Sequence, residues 1–446
     1  MLFLLSCVAL TAAGMVFSLR ATVMEDLGAV FALDARTVGT AVGYAFLAFA
    51  ISVFIGSPLC DYLGMRFLLG LAAVLHIGGT LITIAAPALL QKVSPLLLLS
   101  VGMFTVGLAH GLVEAVINPL IATLYADNKT HKLNVLHAWW PGGLIIGGLI
   151  GFALQFAGAN WQVRLGVVLI PAAIYLVMVL ATRFPPTERV AAGVSGGEMI
   201  RQAFTPLFII WFICMWMTAA TELGPGQWVD ATLSKTVGFQ GILLLVYVSA
   251  LMFVMRHFAG PLAHRLSPVG LMWLSSVLAG LGLLALSASH SPIAALLAAT
   301  VWGAGVCYMW PTMLGVTSER FPKGGALLMG LMGTAGNLSM YFVLPLMGRW
   351  YDKWTQFYLG STTNLQDLMG QVSQEVPGAV EKLDQARSVA VPHVFRDVAA
   401  IAIVLVVVFG ILWLRDKAMG GYKAVKLQTG AEDELTEGFE GAAPKE

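Results

Sequence analysis

The chain has 446 residues, of which 58% are hydrophobic and only 11% charged, against about 25% charged in soluble globular proteins. That balance excludes a soluble globular domain, and a net charge of +1 gives no basis for nucleic acid as a partner or for a polybasic membrane-surface anchor. The reading is an all-α, multi-pass membrane protein.

A crossing needs about 20 apolar residues at 1.5 Å rise each. On that criterion twelve spans are predicted, at 2–25, 38–60, 67–90, 95–125, 134–157, 163–183, 203–231, 240–263, 268–289, 293–316, 324–349 and 398–415. The opening MLFLLSCVAL lacks a basic region, and too few apolar residues precede Ser6 for a signal peptide, so the chain is expected to start inside its first span. Cys7, Cys60, Cys214 and Cys307 fall in or beside apolar runs with no metal or redox spacing, and read as core thiols. Residues 184–202, rich in Pro, Gly and charge, read as a linker between a six-helix half at 1–183 and a second at 203–415, followed by a tail at 416–446.

Lys and Arg in short loops set orientation. Arg66, Lys129, Lys132, Arg183, Arg189, Arg201, Arg265, Arg320, Lys323, Arg415 and Lys417 fall on one side. Only Arg36, Lys92, Arg164 and Lys235 occupy the short loops of the other. Both termini are therefore expected in the cytoplasm, with the protein in the cell inner membrane. The long outer loop, 350–397, reads as an amphipathic structural segment rather than a lid.

Span four carries a charge in its middle. His110, Glu114 and Asn118 are spaced i, i+4, i+8 and form one polar stripe on an apolar helix. Hydrocarbon offers such a stripe no hydrogen-bond partner, so it is expected to face the bundle or a water-filled cavity. The functional reading makes Glu114 a proton carrier; the structural alternative locks it in a pair with Arg or His. His137, Trp139 and Trp140 open span five, and a Trp pair can stack the apolar face of a sugar or serve as an aromatic-belt anchor. Gly224-Pro225-Gly226 is expected to break span seven beside Gln227 and Trp228, and broken helices tend to sit where a transporter binds its solute. Trp310, Asn337 and Tyr341 offer aromatic, amide and hydroxyl contacts in the second half, while Arg256 and His257 are assigned no solute role and His76 is read as a core histidine.

The halves repeat. SPLCDYLGMRFLLGL after span two matches GPLAHRLSPVGLMWL after span eight; Gly107 to Asn118-Pro119 matches Gly305 to Trp310-Pro311, and Gly143 matches Gly336. Parallel repeats with a site between them are the arrangement that permits alternating access.

The stretch Ser57 to Arg66 resembles the signature loop of the major facilitator superfamily, G-x-L-a-D-r-x-G-r-k. Asp61, Gly64 and Arg66 match, whereas Ser57, Tyr62 and Met65 depart from it. In the second copy Gly260 and Arg265 match, and His264 stands where the Asp would be. The resemblance implies twelve helices in two pseudo-symmetric six-helix halves, with Asp61, Arg66 and Arg265 in a conformational latch. A narrower likeness covers Glu114, Asn118-Pro119, Leu133-Asn134 and Gly143, which resemble the fucose permease branch of sugar:proton symporters. That branch carries a protonatable Glu at the position of Glu114 and a Gln at that of His137. Its second essential carboxylate, in span one, falls on Ala21 here, beside Arg20.

Arg20 and Glu222 occupy matching repeat positions in spans one and seven, which face each other across the cavity in this superfamily. They are expected to pair as a gate on the outer side when that side closes, or Arg20 to bind an anionic solute. The sequence thus points to a secondary transporter of a small polar solute, a sugar, coupled to protons or sodium. The alternative is a carrier of organic anions or phosphorylated solutes. No serine elbow, zinc spacing or phosphate loop points to an enzyme. No cofactor or metal is expected, and the chain is read as a monomer in the bilayer.

Overall fold

In a computed structural model, residues 1–33, 35–89, 93–237, 241–289, 291–361, 363–374 and 376–427 are described, and they form helices with no strand among them. In the first half α1 (Leu2–Phe31), α2 (Ala35–Leu63), α3 (Met65–Ala85), α4 (Pro95–Leu124) and α5 (Lys129–Phe156) are followed by α6 (Trp161–Gly166) and α7 (Leu169–Ala181). Short helices α8 (Glu188–Ala191) and α9 (Gly196–Ala203) form the linker. The second half holds α10 (Pro206–Val237), α11 (Gly241–Arg256), α12 (Ala259–Leu266), α13 (Pro268–Ser287), α14 (Pro292–Val306), α15 (Met309–Arg320), α16 (Gly325–Leu359), α17 (Leu365–Ser373) and α18 (Ala379–Ala418).

Local chemistry sets these helix starts. α4, α13 and α14 each begin with a proline, which suits the first turn because its missing N–H has no helical partner there. Ser267 and Ser291 accept the backbone N–H of Gly270 and Ala294 through their hydroxyls, as N-caps do. Gly64 joins α2 to α3 at φ 80°, a backbone setting open to glycine at little cost.

Among the described residues eleven helices are long and apolar enough to cross a membrane, and twelve if α11 and α12, bent by 59° at their junction, count as one span. The expected span 240–263 is therefore a broken one. The span expected at 293–316 is interrupted at Cys307 and Tyr308 between α14 and α15. The outer loop is largely helical: α16 runs on to Leu359, and α18 starts at Ala379, well before the predicted span. Leu359, Leu368 and Leu383 close a small apolar cluster there, and Trp354 stacks on His393 at 4.1 Å, so the segment has its own packed core.

Within the first half α1 lies along α5 and α2 along α4. Glycines permit the approach: a Cβ at Gly107 would strike the backbone of Ala45, and one at Gly143 the backbone of Thr11. Ile170, Ile174 and Val177 of α7, like Ile411 and Leu414 of α18, are exposed on the outside of the bundle, as lipid-facing apolar side chains are. The two halves meet along a seam where α2 packs on α16 and α5 packs on α11 and α15.

Candidate functional site

The polar stripe of α4 is buried as its spacing requires, and each member meets a different environment. Asn118 Oδ1 lies 2.9 Å from His137 Nε2 on α5. His110 stacks on Phe17 at 5.3 Å and sits edge-on to His76 at 4.8 Å, while its Nε2 has no hydrogen-bond partner among the described residues. His76 is buried with its Nδ1 2.7 Å from the Tyr175 hydroxyl, while its Nε2 has no hydrogen-bond partner among the described residues. Glu114 is 6% exposed, and its Oε2 also lacks a partner among the described residues. A Cβ on Gly333 of α16 would stand 3.9 Å from that oxygen, so the carboxylate sits at the seam, against the opposite half.

Asn337 and Tyr341 continue the Gly333 face of α16 by one and two turns. Asn337 Nδ2 donates to the Gly333 carbonyl at 2.9 Å, and Tyr341 is 68% exposed. Trp310 packs beside Gly336. Trp139 meets Phe253 of the opposite half edge-on at 5.5 Å, and Trp140 lies 4.8 Å from Phe17. Both tryptophans thus pack inside the bundle rather than in an aromatic belt.

In this conformation, held together at its linker end, Arg20 and Glu222 are not paired. Glu222 pairs with Arg256, with Nη2 3.5 Å from Oε1. Arg20 instead lies over the rings of Phe17 and Phe46, at 4.8 and 5.7 Å. Equivalent positions in a repeat fix depth along the bundle but not where a long side chain reaches. Gly224-Pro225-Gly226 does not break the helix either, since α10 continues through Pro225. The side chains of Gln227 and Trp228 lie outside the described residues.

Arg256, assigned no solute role from sequence, proves central. Its Nη1 donates to the His137 carbonyl at 2.7 Å and its Nε to the Cys307 carbonyl at 2.6 Å. Both carbonyls are free for a reason written in the sequence: Pro141 and Pro311, four residues on, have no N–H to give them. The same rule explains two more contacts. Pro119 frees the Ala115 carbonyl, which takes the Cys60 thiol at 3.3 Å, and Pro225 frees that of Thr221, which takes the Trp302 indole N–H at 3.2 Å. Polar contacts therefore cross the seam from Glu222 through Arg256 to the His137 backbone, and the His137 side chain meets Asn118, one helical turn from Glu114.

Toward the linker the seam is held by a second set of bonds. Glu319 Oε1 accepts the Thr130 N–H at 2.9 Å and its hydroxyl at 2.7 Å. Lys129 Nζ reaches Glu188 at 2.6 Å and the Ser318 carbonyl at 3.2 Å, and Asn134 donates to Thr312 at 3.1 Å. Asp61 binds Arg189 at 2.7 Å and Thr187 at 2.5 Å. Asp61 is thus tied to the linker rather than to Arg66, which donates to the carbonyls of Val179 and Leu180. Arg265 is exposed. The pairings of Thr130, Arg189 and Glu319 are not legible in the sequence because their partners lie 189 and 128 residues away. Among the described residues no cluster of three or more His, Cys, Asp or Glu is placed to hold a metal.

The fold is shared with solved transporters. The proton:xylose symporter XylE of E. coli is 14% identical, with a TM-score of 0.68 over 92% of this chain and 94% of that one. The E. coli fucose:proton symporter FucP is 14% identical, at 0.65 over 90% and 98%. The human organic anion transporter MFSD10 is 12% identical, at 0.64 over 92% and 98%. No curated protein matches the sequence. The sequence profile described as Major Facilitator Superfamily matches residues 2–354, and with the paired six-helix halves and the signature loop this establishes that the chain belongs to the major facilitator superfamily of membrane transporters.

Proposed function

We propose that this transporter moves a small polar solute, a sugar, by alternating access, and that Glu114 couples the movement to protons. The observation that carries the reading is a buried carboxylate at the seam of the two halves, one oxygen of which has no hydrogen-bond partner among the described residues. An ionised carboxylate sealed there without a partner costs several kcal/mol. The seam therefore closes over Glu114 with a proton on it, and opening to water on either side lets the proton leave. His137 and Asn118 on one half, with Asn337 on the other, supply polar groups beside it, and Trp140 and Trp310 supply aromatic surface. The likeness to sugar:proton symporters supports the same reading.

The excess of Lys and Arg at the linker end supports a cytoplasmic linker and cytoplasmic termini. The test is uptake into proteoliposomes of the monomeric protein under an imposed pH gradient. Glu114→Gln is expected to abolish accumulation while retaining solute exchange, because the neutral amide mimics the protonated carboxyl. Accumulation by the variant that still follows the pH gradient would refute proton carriage by Glu114, and accumulation that follows only a sodium gradient would assign coupling to sodium.

A further inference from the structure

Among the described residues, Arg256 in the core of the second half has an acid partner and Arg20 in the core of the first half has none. Glu222 and Arg256 of the second half hold each other. In the first half Arg20 is 5% exposed, and its Nη1 has no hydrogen-bond partner among the described residues. Asp26, farther along α1, is taken by Arg164, and Glu222 is taken by Arg256. The rings of Phe17 and Phe46 face the guanidinium, but such contacts recover only part of the hydration a buried cation gives up.

A second buried nitrogen without a partner lies beside the same ring. His110 stacks on Phe17 and leaves Nε2 unused. Phe17 also touches Phe46 at 5.6 Å and Trp140 at 4.8 Å. Arg20 and His110 thus both border Phe17, whose ring also meets Phe46 and Trp140, on the side of Glu114 away from the linker, and His76 Nε2, a third buried nitrogen without a partner among the described residues, belongs to the ring edge-on to His110.

We propose that this cluster is a carboxylate subsite: Arg20 Nη1 and His110 Nε2 take the acid group of a sugar acid, and Phe17, Phe46 and Trp140 cover its apolar face. The proposal rests on the sugar:proton reading and narrows its substrate class. A guanidinium matches a carboxylate in charge and shape. One arginine neutralises a monoanion, whereas a phosphate monoester would bring a second charge into the bundle without a counterion. A monoanion carried with the proton of Glu114 is electrically neutral, so transport of the acid generates no current, whereas transport of a neutral sugar with a proton does.

The test compares D-glucuronate with D-glucose, which differ at one carbon, and adds D-glucose 6-phosphate as the phosphate arm, in binding to the purified full-length protein. In the wild type, glucuronate is expected to bind at least tenfold more tightly than glucose, and glucose 6-phosphate less tightly than glucuronate. Arg20→Gln is expected to erase the preference for the acid, and Arg20→Lys to keep part of it. The wild-type ratio alone tests the proposal should the variants fail to fold. Equal binding of glucuronate and glucose, or a ratio unchanged in Arg20→Gln, overturns the subsite and leaves the sugar:proton reading standing. Tighter binding of glucose 6-phosphate overturns the carboxylate assignment. Binding of none of the three overturns the subsite together with the sugar reading, and the Glu114→Gln uptake assay then judges proton coupling separately. In proteoliposomes, glucuronate uptake driven by pH should be insensitive to a potassium diffusion potential; a clear dependence on that potential refutes the neutral pairing.

Discussion

Glu319 offers a direct measure of what keeps the linker end closed. Its Oε1 accepts both the backbone N–H and the hydroxyl of Thr130 from the opposite half. Its Oε2 accepts Tyr422 of the tail, which belongs to its own half and need not be lost on opening. Opening therefore breaks two hydrogen bonds to a carboxylate. Each contributes about 1.5–3 kcal/mol net, and the lower figure applies at a rim that water reaches once the seam parts. Two such bonds give about 3 kcal/mol, and with 1.4 kcal/mol per tenfold change Glu319→Ala should raise the open population about 100-fold. Glu319→Gln keeps a neutral acceptor and should raise it about tenfold. Ala122 is 3% exposed, on α4 beneath the linker helices, and a cysteine there reports opening through its rate of maleimide labelling once the native cysteines are replaced by serine. A labelling rate that changes less than threefold in Glu319→Ala would show that the Thr130 bonds do not hold the seam.

Arg256→Ala strands Glu222 and should destabilise the fold by about 3–5 kcal/mol, with Glu222→Gln restoring part of the loss in the double variant when thermal unfolding is followed. Asp61→Asn removes the charge that holds Arg189, and proteolysis of the linker at 184–202 should become faster; an unchanged cleavage rate would refute the tie between loop and linker. Gly107→Val puts a side chain into the Ala45 backbone and should lower Tm and yield sharply, whereas Gly43→Ala, with open space around it, should leave both near wild type.

The elements that sequence reveals best are those whose signal is local. The i, i+4, i+8 stripe on α4 needs only helical geometry, and the glycines at 107 and 143 need only the demand for close packing. Asp61 was visible as a latch residue from the loop pattern, but its partner Arg189 was not, because nothing local links them. Arg256 was hidden by the same cause. It closes α11 just before the bend into α12, and its partners, the buried carbonyls of His137 and Cys307, lie 119 and 51 residues away in the chain, so nothing local links it to them. Arg256 rather than Arg20 pairs with Glu222 in this conformation, and repeat symmetry carries no information about which of the two cations reaches the acid.

Prolines supply the clue that was present in the sequence and needed the structure to be read. Pro141 and Pro311 each strip a carbonyl of its helical partner, and Arg256 takes both, one across the seam and one within its own half. Replacing each proline by alanine separates the two roles. Pro141→Ala returns an N–H to compete for the His137 carbonyl, which weakens the cross-seam bond by about 1 kcal/mol and should raise Ala122→Cys labelling by about fivefold. Pro311→Ala competes only for the Cys307 carbonyl and should leave labelling near wild type. Both changes relieve the steric conflict a proline brings to a helix interior, so neither should lower Tm by more than a few degrees. Faster labelling at an unchanged Tm in Pro141→Ala alone assigns Arg256 to the seam. Equal labelling in the two variants would show that the bond to His137 is a bystander, and that the closed state rests on the Glu319 clasp alone.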